Sequence, residues 1–414
     1  MSLSAAIEGS SHFTVRTSQF ALHSSHFTVR TSQFALRTSH SNSLRNPSQS
    51  SPVPILEELE TPTPIVDLDR LERNLDRMAN YAKQHDLALR PHIKTHKSPM
   101  LAAEQLRRGA IGLTCATSAE VEVMSAVGKD ILMAYPAIGR TKLKRLMNVS
   151  SETRLTVALD SAEAIEQIAA AAAEHDRPVS ILVEIDLGMH RVGVPSAERA
   201  IDLVRLVRAR PPLEYAGITF YPGHIRQPVG GQDESLAELS TALGNVLAEF
   251  EQAKLRPRIV SGGSTPTAHR THEIGGVTEF RPGTYIFNDR TTYEIGACQQ
   301  EDVALTVLAT VISTAVAGQA VIDAGSKALG REPLRAQGGG GFGVLAEHPE
   351  VIVKSMSEEH GILELNGSDW RPAVGDRVRV IPNHVCIVVH LNDVVHGVRD
   401  GVVETSWPVA ARGR

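Results

Sequence analysis

Between Thr63 and Ser261 short apolar runs alternate with amphipathic stretches, and that alternation constrains the fold more than any other feature. The runs are Pro64–Leu68, Leu87–Ile93, Gly112–Ala116, Ile131–Ala134, Leu155–Leu159, Ile181–Ile185, Tyr215–Thr219 and Arg258–Ser261. Ile181–Ile185 (ILVEI) is almost wholly apolar, as parallel strands covered on both faces are. Helical periodicity returns between the runs. Ile165, Ile168, Ala169 and Ala172 share one face, behind an Asp160–Glu163 pair spaced like a capping box. Eight such repeats predict an α/β fold, a closed (β/α)8 barrel of the TIM type in preference to an open parallel sheet. After Cys298 the pattern becomes β-rich, with Val303–Ser313, Ala320–Asp323, Arg377–Ile381 and Val394–Glu404 joined by Gly, Pro and Asp turns. The chain is therefore read as a barrel over 61–300 followed by a smaller, mostly β domain over 301–414.

Residues 1–60 differ from the rest. Glu8 is the only acid before Glu57, and Ser11–Leu22 (SHFTVRTSQFAL) recurs unchanged at Ser25–Leu36. One short duplication is not a solenoid, which needs several stacked units. The segment reads as a disordered leader or a targeting segment.

A net charge of -5 provides no basic field for nucleic acid or an anionic membrane, and no apolar run is long enough to cross a bilayer. Cys115, Cys298 and Cys386 are too few and too scattered for a disulfide framework, which fits a reduced, cytoplasmic protein.

In a βα barrel the chemistry lies at the C-terminal ends of the strands. There the sequence offers Lys94, Thr117, Arg191, Tyr221, His224 and the turn Ser261–Thr265. Lys94 is flanked by Arg90, His92, His96 and Lys97, whose charge and burial favour the neutral amine that imine formation requires. A solvated basic loop is the plainer reading of that segment. The turn at Gly263, Ser264 and Thr265 can hold a phosphate with backbone N–H groups and hydroxyls. Lysine and phosphate cup on one face point to pyridoxal 5′-phosphate. Gly338–Gly343 (GGGGFG) lacks the strand-then-helix context of a phosphate cradle and reads as a plain loop. In the second domain His384 and Cys386, at i and i+2 on an expected strand, point to one side. A thiolate with an imidazole suits zinc, and manganese or magnesium with added oxygen ligands.

Five motifs in order carry a resemblance: RPHIKTHK (90–97), SGGSTPT (261–267), EFRPGTYIFND (279–289), EEHG (358–361) and PNHVC (382–386). Together they resemble the D-threonine aldolase and D-serine dehydratase family, with its alanine-racemase-like fold-type III arrangement, from Thr61 to Arg414. The resemblance implies a homodimer with pyridoxal phosphate on Lys94 and Arg191 near the pyridine nitrogen. The phosphate would lie on Gly263, Ser264 and Thr265 with help from Tyr285, and His384 with Cys386 would hold a divalent metal. Tyr221 is carried over as a cofactor contact, and His92, Thr117, His224 and His360 as pocket residues. The implied substrate is a small D-3-hydroxy amino acid. Cys386 and SGGSTPT resemble the dehydratases, whereas Asp323–Lys327 (DAGSK) and Trp407–Gly413 (WPVAARG) resemble the aldolases. The balance leans to D-threonine aldolase, with D-serine or D-3-hydroxyaspartate dehydratase second. An amino-acid racemase or a non-catalytic pyridoxal-phosphate carrier would not need the His384/Cys386 pair.

Overall fold

The computed structural model describes residues 55–336 and 340–413. The leader expected over 1–60 lies outside the described residues as far as 54. Residues 55–60 run along the second sheet, with Ile55 bridged to Val402 and the carbonyls of Glu57 and Leu59 accepting from Arg377. The glycine loop at 338–343 also falls partly outside the described residues.

The first strand, β1 (Thr63–Asp67), leads into the helix Leu68–Gln84, which Asp67 caps by accepting from Arg70 N at 2.9 Å. The barrel strands follow in chain order. They are β2 (Ala88–Leu89), β3 (Leu113–Cys115), β4 (Asp130–Met133), β5 (Arg154–Leu159), β6 (Val179–Glu184), β7 (Leu213–Thr219), β8 (Ile259–Gly262) and β9 (Glu279–Phe280). These eight form one sheet in the order β2-β9-β8-β7-β6-β5-β4-β3, and a parallel bridge from His92 to Thr114 joins its edges. The barrel is thus the TIM-like α/β architecture that the alternating pattern predicts.

Two strand assignments change. The run at Pro64–Leu68 is not a barrel strand. As β1 it lies in the other sheet, antiparallel to β10 (Leu305–Ser313) and parallel to β16 (Val394–Arg399). An apolar run followed by a helix looks the same whichever sheet it joins. The eighth barrel strand is instead β9, which carries a buried glutamate and precedes a buried arginine, so no apolar run announces it.

The second sheet is completed by β11 (Gln319–Ile322), β12 (Gly343–Leu345), β13 (Val353–Met356), β14 (Gly361–Glu364), β15 (Arg377–Pro382) and β17 (Val402–Pro408). The expected single run Val394–Glu404 is a hairpin, β16 and β17, turned at Asp400 (φ 50°) and Gly401 (φ 77°). Asp-Gly is the pair that such tight hairpin turns demand.

Helix Ala162–Glu174 buries Ile165, Ile168, Ala169 and Ala172 as the periodicity predicts. Its cap is Ser161, which accepts from Ala164 N, rather than Asp160, whose carboxylate accepts from Gly193 N at 3.0 Å. Around the barrel, apolar side chains of helices and strands form two large clusters, while the lumen holds a small apolar group, Leu132, Leu182 and Ala216, and a polar network. There Arg90 donates to Glu279 (2.8 Å) and Asp130 (2.9 Å), and Ser261 donates to Glu279 (2.6 Å). Buried charges persist when they are paired and hydrogen-bonded in this way.

Candidate active site

The strand ends of the barrel and one face of the second domain enclose a cavity of about 160 Å³. Lys94 reaches it from a single 3-10 turn, Ile93–Thr95, that follows β2. Among its basic neighbours, only His92 also lines the cavity. Arg90 is held in the lumen. Buried His96 bonds Gln105 (3.1 Å) and accepts from Ser98 N (3.1 Å), and buried Lys97 pairs with Glu120 (2.5 Å). The basic segment is therefore three structural anchors around one half-buried lysine. Burial, aided by the nearby cations Lys94 and Arg281, holds His92 well below the usual histidine range, so its ring is neutral.

Gly263, Ser264 and Thr265 line the same cavity together with Gly283 and Thr284. Gly263 adopts φ +93°, and a Cβ there would stand 3.1 Å from the Phe280 side chain. A Cβ on Gly283 would lie 2.8 Å from Thr95 Oγ1, so neither position has room for a side chain. Neutral donors around such a cradle suit a phosphate, and Lys94 opens onto the same cavity. The residues present fit pyridoxal phosphate.

Tyr221 stands between two cations, its ring centroid 5.9 Å from Lys94 Nζ and 4.8 Å from the Arg191 guanidinium. Arg191 is exposed at the rim. The lumen arginine that also lines the cavity is Arg281, which sequence reasoning left without a role. It is buried and donates to Ser261 Oγ (2.5 Å) and Phe220 O (3.0 Å). Burial lowers its pKa, opposed by Glu279 and Glu184, while burial raises that of Glu184 against Arg281 and Arg191.

The second domain contributes His384 and Cys386. They do not lie on a strand: His384 is the N-cap of the helix Val385–Leu391, and Cys386 is in its first turn. Buried Val385, Val388 and Val389 recur at helical spacing, a signal that was present in the sequence. Thr95 Oγ1 lies 3.3 Å from Cys386 Sγ, which joins the Lys94 turn to this pair. Burial pushes the Cys386 thiol up, but the His384 imidazolium, Lys94 and the Thr95 hydroxyl outweigh it and bring it to about 7. Burial also opposes charge on His384, yet the Cys386 thiolate and the hydrogen bond to Asp289 raise it well above its ordinary value. A thiolate and an imidazole that attract positive charge form a suitable divalent-cation pair. Among the described residues no group of three or more metal-ligating side chains surrounds them, so substrate or water oxygens would complete the shell.

Asp289 was also missed, although it ends a quoted motif. Its Oδ2 lies 3.0 Å from His384 Nδ1 and accepts from Val385 N at 3.2 Å, leaving His384 Nε2 for a ligand. Four expected residues sit elsewhere. The Tyr285 hydroxyl accepts from Gln105 at 3.0 Å, because burial in the wall binds it to the His96–Gln105 chain. Thr117 caps the helix Ser118–Met124. His224 packs on Gly188 at the exposed rim, and His360 is exposed on the turn between β13 and β14.

A barrel bearing a lysine and an anion cup, closed by a β domain, defines an alanine-racemase-like enzyme. The alanine racemase N-terminal domain family matches residues 66–291, and a serine dehydratase domain family matches 304–398. A D-threonine aldolase of Arthrobacter sp is 30% identical, covering 89% of this chain and 96% of that protein. A D-threo-3-hydroxyaspartate dehydratase of Delftia sp. is 35% identical, covering 79% and 91%. The crystal structure of D-threonine aldolase from Filomicrobium marinum aligns with a TM-score of 0.81 at 32% identity, over 89% and 99% of the two chains. A D-threo-3-hydroxyaspartate dehydratase with a cysteine replaced by alanine, solved metal-free, aligns at 0.79 and 30% identity, over 87% and 100%. That dehydratase is also solved with alanine replacing a histidine two residues earlier. The chain belongs to the alanine racemase N-terminal domain family, in the branch that includes the D-threonine aldolases and D-serine dehydratases. Its relatives are pyridoxal-phosphate-dependent lyases, and so is this protein.

Proposed function

We propose that the protein is a pyridoxal-phosphate- and divalent-metal-dependent lyase of D-3-hydroxy amino acids whose favoured reaction is loss of the β-hydroxyl. The observation that carries this reading is the 3.3 Å contact between Thr95 and Cys386, which sets Lys94 beside the His384–Cys386 pair. Bound cofactor supplies an electron sink that labilises the bonds at the substrate Cα. A divalent metal supplies Lewis-acid polarisation of a substrate oxygen. Lys94 anchors the cofactor and is the base that takes the Cα proton, while Gly263, Ser264 and Thr265 hold the phosphate. Arg281 in the lumen, rather than Arg191 at the rim, is assigned to the pyridine nitrogen. Tyr221, between Lys94 and Arg191, would help to hold the cofactor.

Elimination needs a Cα base and a metal on the same side, as Lys94 and His384/Cys386 provide. A cysteine two residues after a histidine is also the pair whose replacement was studied in the related dehydratase, once in a metal-free form. Retro-aldol cleavage to glycine and an aldehyde, the first choice on sequence resemblance, is the second reading, supported by the aldolases among the relatives. The proposal extends to a cytoplasmic homodimer. Three free cysteines accord with a reducing compartment, and no helix of the described residues is long and apolar enough to cross a membrane.

Incubation of the holoenzyme with D-threonine and D-serine tests the reading. Ammonia with 2-oxobutanoate or pyruvate is the expected outcome, lost on chelation. Glycine with acetaldehyde would replace elimination by cleavage. Borohydride reduction and peptide mapping should find the cofactor on Lys94, and a reducible cofactor retained by Lys94→Ala would reject that assignment.

A further inference from the structure

We propose that Arg335 selects substrates whose Cβ carries a carboxylate, an inference that rests on the lyase reading above and names its substrate class. Arg335 lines the cavity from a segment anchored beside the metal pair. Gly330 packs on Ile387, where a Cβ would meet its side chain at 2.6 Å. Asn383, the neighbour of His384, donates to Glu332 O at 3.1 Å and to Gly341 O at 2.9 Å. Arg290 donates to Gly340 O at 2.7 Å. The contacts at Gly330 and Glu332 hold the segment bearing Arg335 against the turn that presents His384, the side on which a substituent at Cβ would lie.

The charges around the cavity leave this guanidinium in need of a partner. Lys94, Arg191, Arg226, Arg281 and Arg335 face two carboxylates, Glu184 and Asp289. Arg281 lies in the field of Glu184 and Glu279, and Asp289 is taken by His384. The phosphate cup is built from neutral donors, so it consumes no arginine. Among the described residues neither Arg191 nor Arg226 makes an ion pair, and the substrate α-carboxylate can satisfy one of these rim cations. Among the described residues Arg335 pairs with Glu332 alone, at 2.6 Å in a partly exposed i,i+3 pair of the kind worth little in water. A methyl group or hydrogen on Cβ offers it nothing, whereas a carboxylate can pair with its planar fork through two hydrogen bonds.

The test uses the metal-loaded holoenzyme and its Arg335→Gln and Arg335→Lys variants. Calorimetric binding of D-aspartate and D-alanine, which lack the β-hydroxyl, reads the anchor without the lyase reaction. The native protein should bind D-aspartate the more tightly, by ~10- to 100-fold, the range of one charge-assisted hydrogen bond. Arg335→Gln should abolish the preference and Arg335→Lys restore part of it. The ratio of kcat/KM for D-3-hydroxyaspartate over D-threonine should fall in parallel. Equal binding in the native protein, or a preference unchanged in Arg335→Gln, overturns the inference. An Arg335-dependent preference for D-aspartate without turnover of either hydroxy amino acid sustains the anchor and rejects the lyase reading.

Discussion

Asp289 Oδ2 stands 3.0 Å from His384 Nδ1, so a carboxylate from the end of the barrel segment orients an imidazole from the second domain. Replacing it by asparagine keeps the shape but sets an amide donor either against His384 and Val385 N or against Thr292 N, all of which require an acceptor. Metal titration of the stripped Asp289→Asn protein should show affinity ~10- to 100-fold weaker, the usual range for such supporting carboxylates. Unchanged affinity would remove Asp289 from the site.

Gly263 occupies φ +93° in the turn proposed to hold the phosphate. Alanine there strains the backbone by roughly 1–3 kcal/mol and crowds Phe280. Titration of the apoprotein with pyridoxal phosphate should show cofactor affinity weakened by ~10-fold or more. A native affinity would place the phosphate elsewhere.

Lys97 and Glu120 form a buried pair, and Lys97 Nζ also reaches Ala411 O at 3.4 Å. Lys97→Met leaves the Glu120 charge uncompensated and should cost about 3–5 kcal/mol in urea unfolding. Adding Glu120→Gln should recover part of that loss. Additive losses in the double variant would mean that the pair is not coupled.

His96 is neutral in the folded protein. Burial, against the hydrogen bonds of Gln105 and Ser98, takes its pKa down to about 4 from 6.5. Between those values the unfolded chain binds the extra proton. Stability is thus fully present above about pH 6.5 and declines as pH falls toward 4, by ~3 kcal/mol for this group. Unfolding midpoints from pH 7 to 4 should vary less in His96→Gln than in the native protein. Parallel curves would assign the acid sensitivity to other groups.

Much of this site was legible because its parts fall at strand ends. Lys94 and the Gly263–Thr265 turn needed only the barrel pattern to be placed on one wall. His384 and Cys386 could be paired by spacing, yet reading their segment as a strand overlooked the helical recurrence of its valines. Arg281 and Asp289 lay in a recognised motif without an assignment, because their roles depend on partners distant in sequence: Glu184, Ser261 and His384. Arg191 was expected near the pyridine nitrogen, and sequence cannot tell whether a residue after a strand lines the rim or the lumen. Tyr285 was misplaced for a related reason, since nothing local reveals that its hydroxyl meets Gln105.

The placement of β1 has a consequence for how the molecule is made. Thr63–Val66 pairs with Leu305–Leu308, and Ile65–Asp67 with His396–Val398, so the β domain is interrupted by the whole barrel. During synthesis the first strand leaves the ribosome long before its partners exist, while the barrel strands can pair as they emerge. The His384–Cys386 pair and Lys94 therefore meet only when the last strands have closed over the first. A chain cut short after the barrel would carry Lys94 and the Gly263–Thr265 turn with an orphaned edge strand, and without the His384–Cys386 pair.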